Sequence, residues 1–319
     1  ELGERARTRG IRIGFEALAW GRHINDHRDA WEVVRRADHS HVGLILDSFH
    51  TLSRGIDPQT IRSIPGDKIF FVQLADAPKI DMDLFYWSRH FRNMPGEGDL
   101  PVVDFMRAVA ATGYDGPLSL EIFNDQFRGG SPVEIARDGH RALMGLMDDV
   151  RRSEPDIRLP VPEIPPRAHC GGVEFIEFTT SEEEAADLAG FLSVMGFIHA
   201  GNHVSKQVAH WRQNDINILI NTEESGFAHS AYQTHGTSVC DIALCVDNAA
   251  RTIERARMLG AETVTTPAGK GELSIPAIRG VGGGMVRFID DNSDLGRLWE
   301  IDFTPVDGAG DVSGVGLRR

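Results

Sequence analysis

Two hydrophobic rhythms divide this chain. In its first half, residues 11–16 (IRIGFE), 42–47 (VGLILD), 69–74 (IFFVQL) and 117–123 (PLSLEIF) are short apolar runs rich in β-branched and aromatic side chains. That is the pattern of strands buried on both faces. Between them lie segments with helical spacing: residues 27–39 (HRDAWEVVRRADH), a stretch near 57–64 stopped by Pro65-Gly66, and residues 101–113, which close at Gly113. Strands and helices that alternate in this way predict a parallel sheet or barrel. The first ten residues, ELGERARTRG, read as the tail of a basic helix, so the chain is expected to begin inside a domain.

Residues 153–169 (SEPDIRLPVPEIPPRAH) hold five prolines and no apolar period. They predict an extended, semi-rigid linker, because proline fixes φ and removes backbone donors. Beyond it the rhythm changes. Residues 172–178 (GVEFIEF) read as a strand, 182–197 as an amphipathic helix, and strand-like runs follow, among them 216–220 (INILI). Residues 239–246 (VCDIALCV) open a second similar pass, with a helix over 249–261 and strands around a glycine turn in 275–290. The pattern is a βαβββ unit written twice.

Composition narrows the function. The 319 residues are 41% hydrophobic and 25% charged, ordinary for a globular protein of two domains. The formal net charge of −14 disfavours nucleic acid and anionic membranes as partners, since both are held mainly by Lys and Arg. Cys170, Cys240 and Cys245 form no CxxC pair, which gives the expectation of a reduced, cytoplasmic protein. No apolar run approaches the roughly 18–20 residues of a membrane span, and the first residues lack a signal-peptide core.

Four polar side chains hold equivalent places in the first-half strands. Glu16 ends the first strand and Asp47 the second, Gln73 lies near the end of the third, and Glu121 lies within the fourth. In a parallel α/β barrel the strand C-termini converge on one face, so three carboxylates and an amide oxygen would share one small volume. Clustered carboxylates repel unless a cation joins them, and an all-oxygen set suits a hard ion such as Mg²⁺ or Mn²⁺. His50, three residues after Asp47, could act as a general base near neutral pH. Residues 86–101 read as a connecting loop that carries Ser88 and Arg92, the latter a planar fork for a substrate carboxylate. His23 and His27 read as surface residues.

On these residues the first half resembles the sugar phosphate isomerase/epimerase superfamily, the xylose isomerase-like barrels. The matching pieces are FEALAWG (15–21), LDSFH (46–50), VQLADAP (72–78), SRHFRNMPGEGDL (88–100) and SLEIF (119–123), and they most closely resemble the bacterial two-domain 3-dehydroshikimate dehydratases. The resemblance implies an α/β chain: the C-terminal five strands of a (β/α)8 TIM barrel over residues 1–152, the linker over 153–169, and an α+β vicinal-oxygen-chelate domain over 170–305. That second domain is similar to the N-terminal half of hydroxyphenylpyruvate dioxygenase, and 306–319 form a tail. With three barrel strands ahead of residue 11 missing, the chain is expected to be truncated at both ends, poorly soluble or homo-oligomeric.

The resemblance also implies an activity. A cyclic β-hydroxy ketone carrying a carboxylate, 3-dehydroshikimate, would lose water and tautomerise to protocatechuate. Glu16, Asp47, Gln73 and Glu121 would hold a divalent cation (Mg²⁺, Mn²⁺ or Co²⁺). His50 and Glu16 would be catalytic, with His50 as the base, and Ser88 and Arg92 would position the substrate. In the second half, the positions matching the usual metal histidines read Gly172 and Asp241, and Glu300 alone matches a usual ligand, so no iron site is implied there. Two alternatives stay open: a metal-dependent isomerase or epimerase of a small sugar or keto acid on the same site, and a fragment serving only as a binding partner.

Overall fold

Strands β1 (Ile13–Phe15), β2 (Val42–Asp47), β3 (Ile69–Leu74) and β4 (Leu118–Leu120) lie side by side in sequence order, each parallel to the next. They belong to a computed structural model in which residues 1–265 and 268–306 are described. The expected tail over 306–319 lies outside those residues from 307 on. The chain forms two compact units, Glu1–Glu163 and the residues from Ile164 on.

The first unit winds helices around its sheet: α1 (Leu2–Arg7), α2 (His27–Ala37), α3 (Ser48–Leu52), α4 (Leu84–His90), α5 (Val102–Ala111), α6 (Asp125–Arg128) and α7 (Pro132–Ser153). Local sequence sets their ends. Asp26 caps α2 by accepting the Arg28 N–H, and Pro132 begins α7 where a missing N–H does no harm. Leu44 and Leu46 of β2 and Val72 and Leu74 of β3 pack with Phe105 and Val109 of α5 and Val150 of α7 into one core. Ile157, Leu159 and Val161, in the stretch read as a linker, also lie against that core. The helix expected near 57–64 is a 3₁₀ helix, Pro58–Ser63.

Five barrel strands were expected over this stretch, and the sheet has four. Between β3 and β4, residues 91–93 make only isolated antiparallel bridges, Phe91 to Asn124 and Asn93 to Asp76. The cause is local. Buried Asp76 accepts the Gly96 and Leu100 N–H groups, at 3.0 and 2.9 Å, and so curls the chain into a loop. Gly98 has to be glycine there, because a Cβ would lie 2.5 Å from Asp76 Oδ1 and 2.6 Å from the Ala77 backbone.

The second unit holds β5 (Cys170–Thr179), α8 (Glu182–Val194), β6 (Ile198–His203), β7 (Val208–Gln213) and β8 (Ile216–Asn221). Helix α9 (Gly226–His235) leads to the second pass: β9 (Ser238–Val246), α10 (Ala249–Met258), β10 (Thr263–Val264), β11 (Ala277–Arg279) and β12 (Met285–Ile289). Helix α11 (Leu298–Ile301) and β13 (Phe303–Pro305) close the described chain. The doubled βαβββ pattern is present, joined through the antiparallel β5–β9 pair into one sheet of order β10-β11-β12-β9-β5-β8-β7-β6-β13. Strand alternation gives this sheet two faces. Ile176, Phe178, Ile218 and Ile220 pack with Leu192 of α8, while Phe175, Leu219 and Val208 face the other way with Trp299 and Phe303.

Candidate metal centre

Asp47 both ends β2 and starts α3. Its Oδ1 accepts the His50 N–H at 3.1 Å, which caps the helix and turns the His50 ring back toward the strand ends. His50 Nε2 then stands 3.6 Å from Glu16 Oε1 and 4.0 Å from Asp47 Oδ2. Donor atoms of Glu16, Asp47 and His50 all lie within 4.8 Å of one another. On the far side of the ring the Ala19 N–H donates to Nδ1 at 3.3 Å, and Trp20 meets the ring edge-on at 4.9 Å. With Nδ1 accepting, a neutral His50 carries its proton on Nε2, facing Glu16. Burial lowers the His50 pKa to about 4, so the ring is neutral at pH 7.

Arg92 supplies the balancing charge. Its Nη1 donates to Asp47 Oδ2 and to Glu121 Oε2, both at 2.8 Å, while Nε and Nη2 reach Ser88 Oγ at 3.2 and 2.8 Å. The guanidinium lies over the rings of Phe49 and Phe123, and the Arg92 side chain is 1% exposed. The Arg92 N–H bonded to Phe123 O fixes this loop beside the end of β4.

Gln73 completes the group. The β2–β3 register sets it beside Asp47, and its Nε2 donates to Glu121 Oε1 at 2.8 Å. Its own Oε1 is buried with no hydrogen-bond partner among the described residues. Such an orphaned acceptor is uncommon in a folded protein and suits a ligand to a cation. Burial, then repulsion from Asp47 and Glu121, raises Glu16 to about 7, and burial and Asp47 also raise Glu121. Asp47 is held low despite its burial by Arg92 and His50. A metal ion would relieve these strained carboxylates. The residues present fit a divalent cation, with Glu16 and Glu121 still partly open to solvent.

All seven residues singled out as ligands, base or substrate contacts meet in this one place, with two adjustments. Ser88 sits in helix α4 rather than a loop and is fully buried. Arg92 points at protein carboxylates in this arrangement instead of an open fork, because its buried Nη1 lies 2.8 Å from both Asp47 and Glu121. His27, read as a surface residue, is buried, with Nε2 2.8 Å from Thr60 Oγ1. The roles of Ala19 and Trp20 in fixing His50 went unread, although both lie inside the FEALAWG piece.

Two family models divide the chain between them. Residues 1–146 match the xylose isomerase-like TIM barrel, and residues 166–304 match the N-terminal part of hydroxyphenylpyruvate dioxygenase. The whole chain is 46% identical to a 3-dehydroshikimate dehydratase of Pseudomonas aeruginosa and 44% identical to that of Pseudomonas putida, covering 51% of each. Each half of the chain is thus similar to one of these two families. A solved structure of a xylose isomerase-like TIM barrel/4-hydroxyphenylpyruvate dioxygenase fusion protein superimposes on all of it with a TM-score of 0.91 and 44% identity, again over 51% of that chain. The chain thus spans about half the length of the curated relatives it matches. Its barrel fold and the Glu16, Asp47 and His50 cluster point to a divalent metal.

Proposed function

We propose that the first unit is the catalytic part of a metal-dependent 3-dehydroshikimate dehydratase, and that its product is protocatechuate. The observation that carries this reading is the buried, unpartnered Oε1 of Gln73 among Glu16, Asp47 and Glu121. These four residues would hold Mg²⁺, Mn²⁺ or Co²⁺. The bound cation would supply a Lewis acid for the ketone oxygen.

The chain's own groups do the rest. The Glu16 carboxylate, paired with His50, is assigned the proton transfers beside the ketone. His50, with Nε2–H toward Glu16, orients that carboxylate and forms an acid–base pair with it. The pair takes the proton next to the ketone, and the same proton leaves with the β-hydroxyl as water. A second proton shift makes the ring aromatic. Arg92, with Ser88 behind it, is the cation nearest the site and is assigned to the substrate carboxylate once Asp47 and Glu121 are otherwise balanced. Trp20, against the His50 ring and 5.1 Å from the Phe85 ring, forms the apolar wall.

Incubation of the protein and Mn²⁺ with 3-dehydroshikimate tests this. The expected result is the ultraviolet absorbance of an aromatic product. Interconversion of a small sugar or keto acid, with no aromatic product from 3-dehydroshikimate, would overturn it.

A further inference from the structure

A pocket lies in the second unit, lined by residues of that unit alone. It is a cavity of about 200 Å³ on the sheet face opposite α8. Its walls are apolar, with Phe175, Val208, Leu219, Met285 and Phe303 among the lining side chains. Polar side chains interrupt them, among them Glu177 on β5, Asn221 on β8 and Arg287 on β12, with His203, Lys206, Glu223, Ser225 and Asp302 also in the lining. Alternation explains the grouping, since Phe175 and Glu177, Leu219 and Asn221, and Met285 and Arg287 are each two residues apart on one strand.

Of the charged groups, Glu177 and Arg287 each have capacity left. Arg287 Nε donates to Asp241 Oδ2 at 2.6 Å, which fixes the guanidinium plane, and its Nη1 and Nη2 bond to no described residue. Glu177 Oε1 accepts from Asn221 Nδ2 at 2.7 Å, and Oε2 has no partner among the described residues. Glu177 and Arg287 are not paired with each other. Lys206, the other cation of the lining, is engaged with Glu272 at 3.0 Å.

We propose that this cavity binds a small apolar α-amino acid, with its carboxylate on the Arg287 fork, its ammonium on Glu177 and its side chain against Phe175, Leu219 and Phe303. Charge selects the zwitterion. A simple anion would meet Arg287 but add its charge to Glu177 and Asp241, whereas an amino acid presents one charge to each partner. Size agrees: the cavity is smaller than the roughly 300–1,000 Å³ of drug-sized sites and takes a leucine- or phenylalanine-sized ligand. Nothing in this inference depends on the activity of the first unit.

Calorimetric titration of the full chain with L-leucine and L-phenylalanine tests it, with 3-phenylpropionate and phenylalaninamide as probes lacking one charge. One of the two amino acids should bind one-to-one, and both single-charge probes should bind at least about tenfold more weakly. Arg287→Lys keeps a cation beside Asp241, and Glu177→Gln keeps the Asn221 contact. Each should weaken amino-acid binding at least about tenfold while the urea midpoint stays near that of the parent. Glu121→Gln, in the metal centre, should leave this binding unchanged. Absence of heat with both amino acids, 3-phenylpropionate binding as tightly as L-phenylalanine, or loss of binding in Glu121→Gln with Arg287→Lys unaffected would each overturn the proposal.

Discussion

Gln73 of β3 and Glu121, the residue that follows β4, meet with the Gln73 amide nitrogen 2.8 Å from Glu121 Oε1 and the Gln73 oxygen buried without a partner among the described residues. That pairing orients one neutral and one charged oxygen donor together. Glu121→Gln should therefore lose cation occupancy with little change in far-ultraviolet circular dichroism. Gln73→Leu should bind the cation at least about tenfold more weakly, as loss of a ligand does. Metal content after dialysis, read beside the dichroism, checks both. Full occupancy in Glu121→Gln would remove it from the ligand set.

Glu16 gives the site a pH dependence of known sign. Its pKa, about 7, is raised above the ordinary carboxyl value, so between those two values the folded metal-free protein holds a proton that the unfolded chain has released. Its contribution to stability thus falls as pH rises through that window. Cation binding has the opposite slope, because the proton must leave first. Below pH 7, affinity for Mn²⁺ should drop by up to about tenfold per pH unit on this account. Titrations at pH 6 and pH 8 that give equal affinities would contradict it.

Arg92 is the counter-charge of Asp47, whose side chain has no solvent exposure. Arg92→Ala should destabilise the metal-free protein by about 3–5 kcal/mol, the usual effect of stranding a buried charge. Saturating Mn²⁺ should restore much of that loss, because a cation at Asp47 and Glu121 replaces the missing charge. Urea unfolding with and without the ion measures both quantities. An unchanged midpoint in the metal-free variant would show that Arg92 carries no such load.

His50→Ala should keep its cation and lose on the order of 10²-fold in kcat, the range of acid–base groups. Glu16→Gln should lose both cation and turnover. A His50→Ala protein with near-normal kcat would leave the proton transfers to Glu16 alone.

Much of this was legible in the sequence, and the reasons differ by element. Asp47 and Gln73 could be placed because their strands are continuous apolar runs with one polar residue at or next to the C-terminal end. The doubled βαβββ pattern was visible because each pass repeats the same order of rhythms. Helix α7 was missed, although Pro132 opens it and Leu146, Met147 and Val150 mark its buried face. Its polar surface and interior Gly139 and Gly145 weaken the period. Helices α3 and α9 are short or nearly unpatterned, set by the Asp47 cap and by the sheet they join. The engagement of Arg92 was not legible at all. It depends on a loop curled by Asp76, a contact between residues 20 and 24 positions apart.

The central claim is that turnover of 3-dehydroshikimate depends on a cation held by Glu16, Asp47, Gln73 and Glu121. The most direct measurement follows protocatechuate absorbance and bound metal in one chelator titration of the Mn²⁺-loaded protein. The account predicts that both fall together and that added Mn²⁺ or Co²⁺ restores both. Full turnover after the metal has been removed would contradict it.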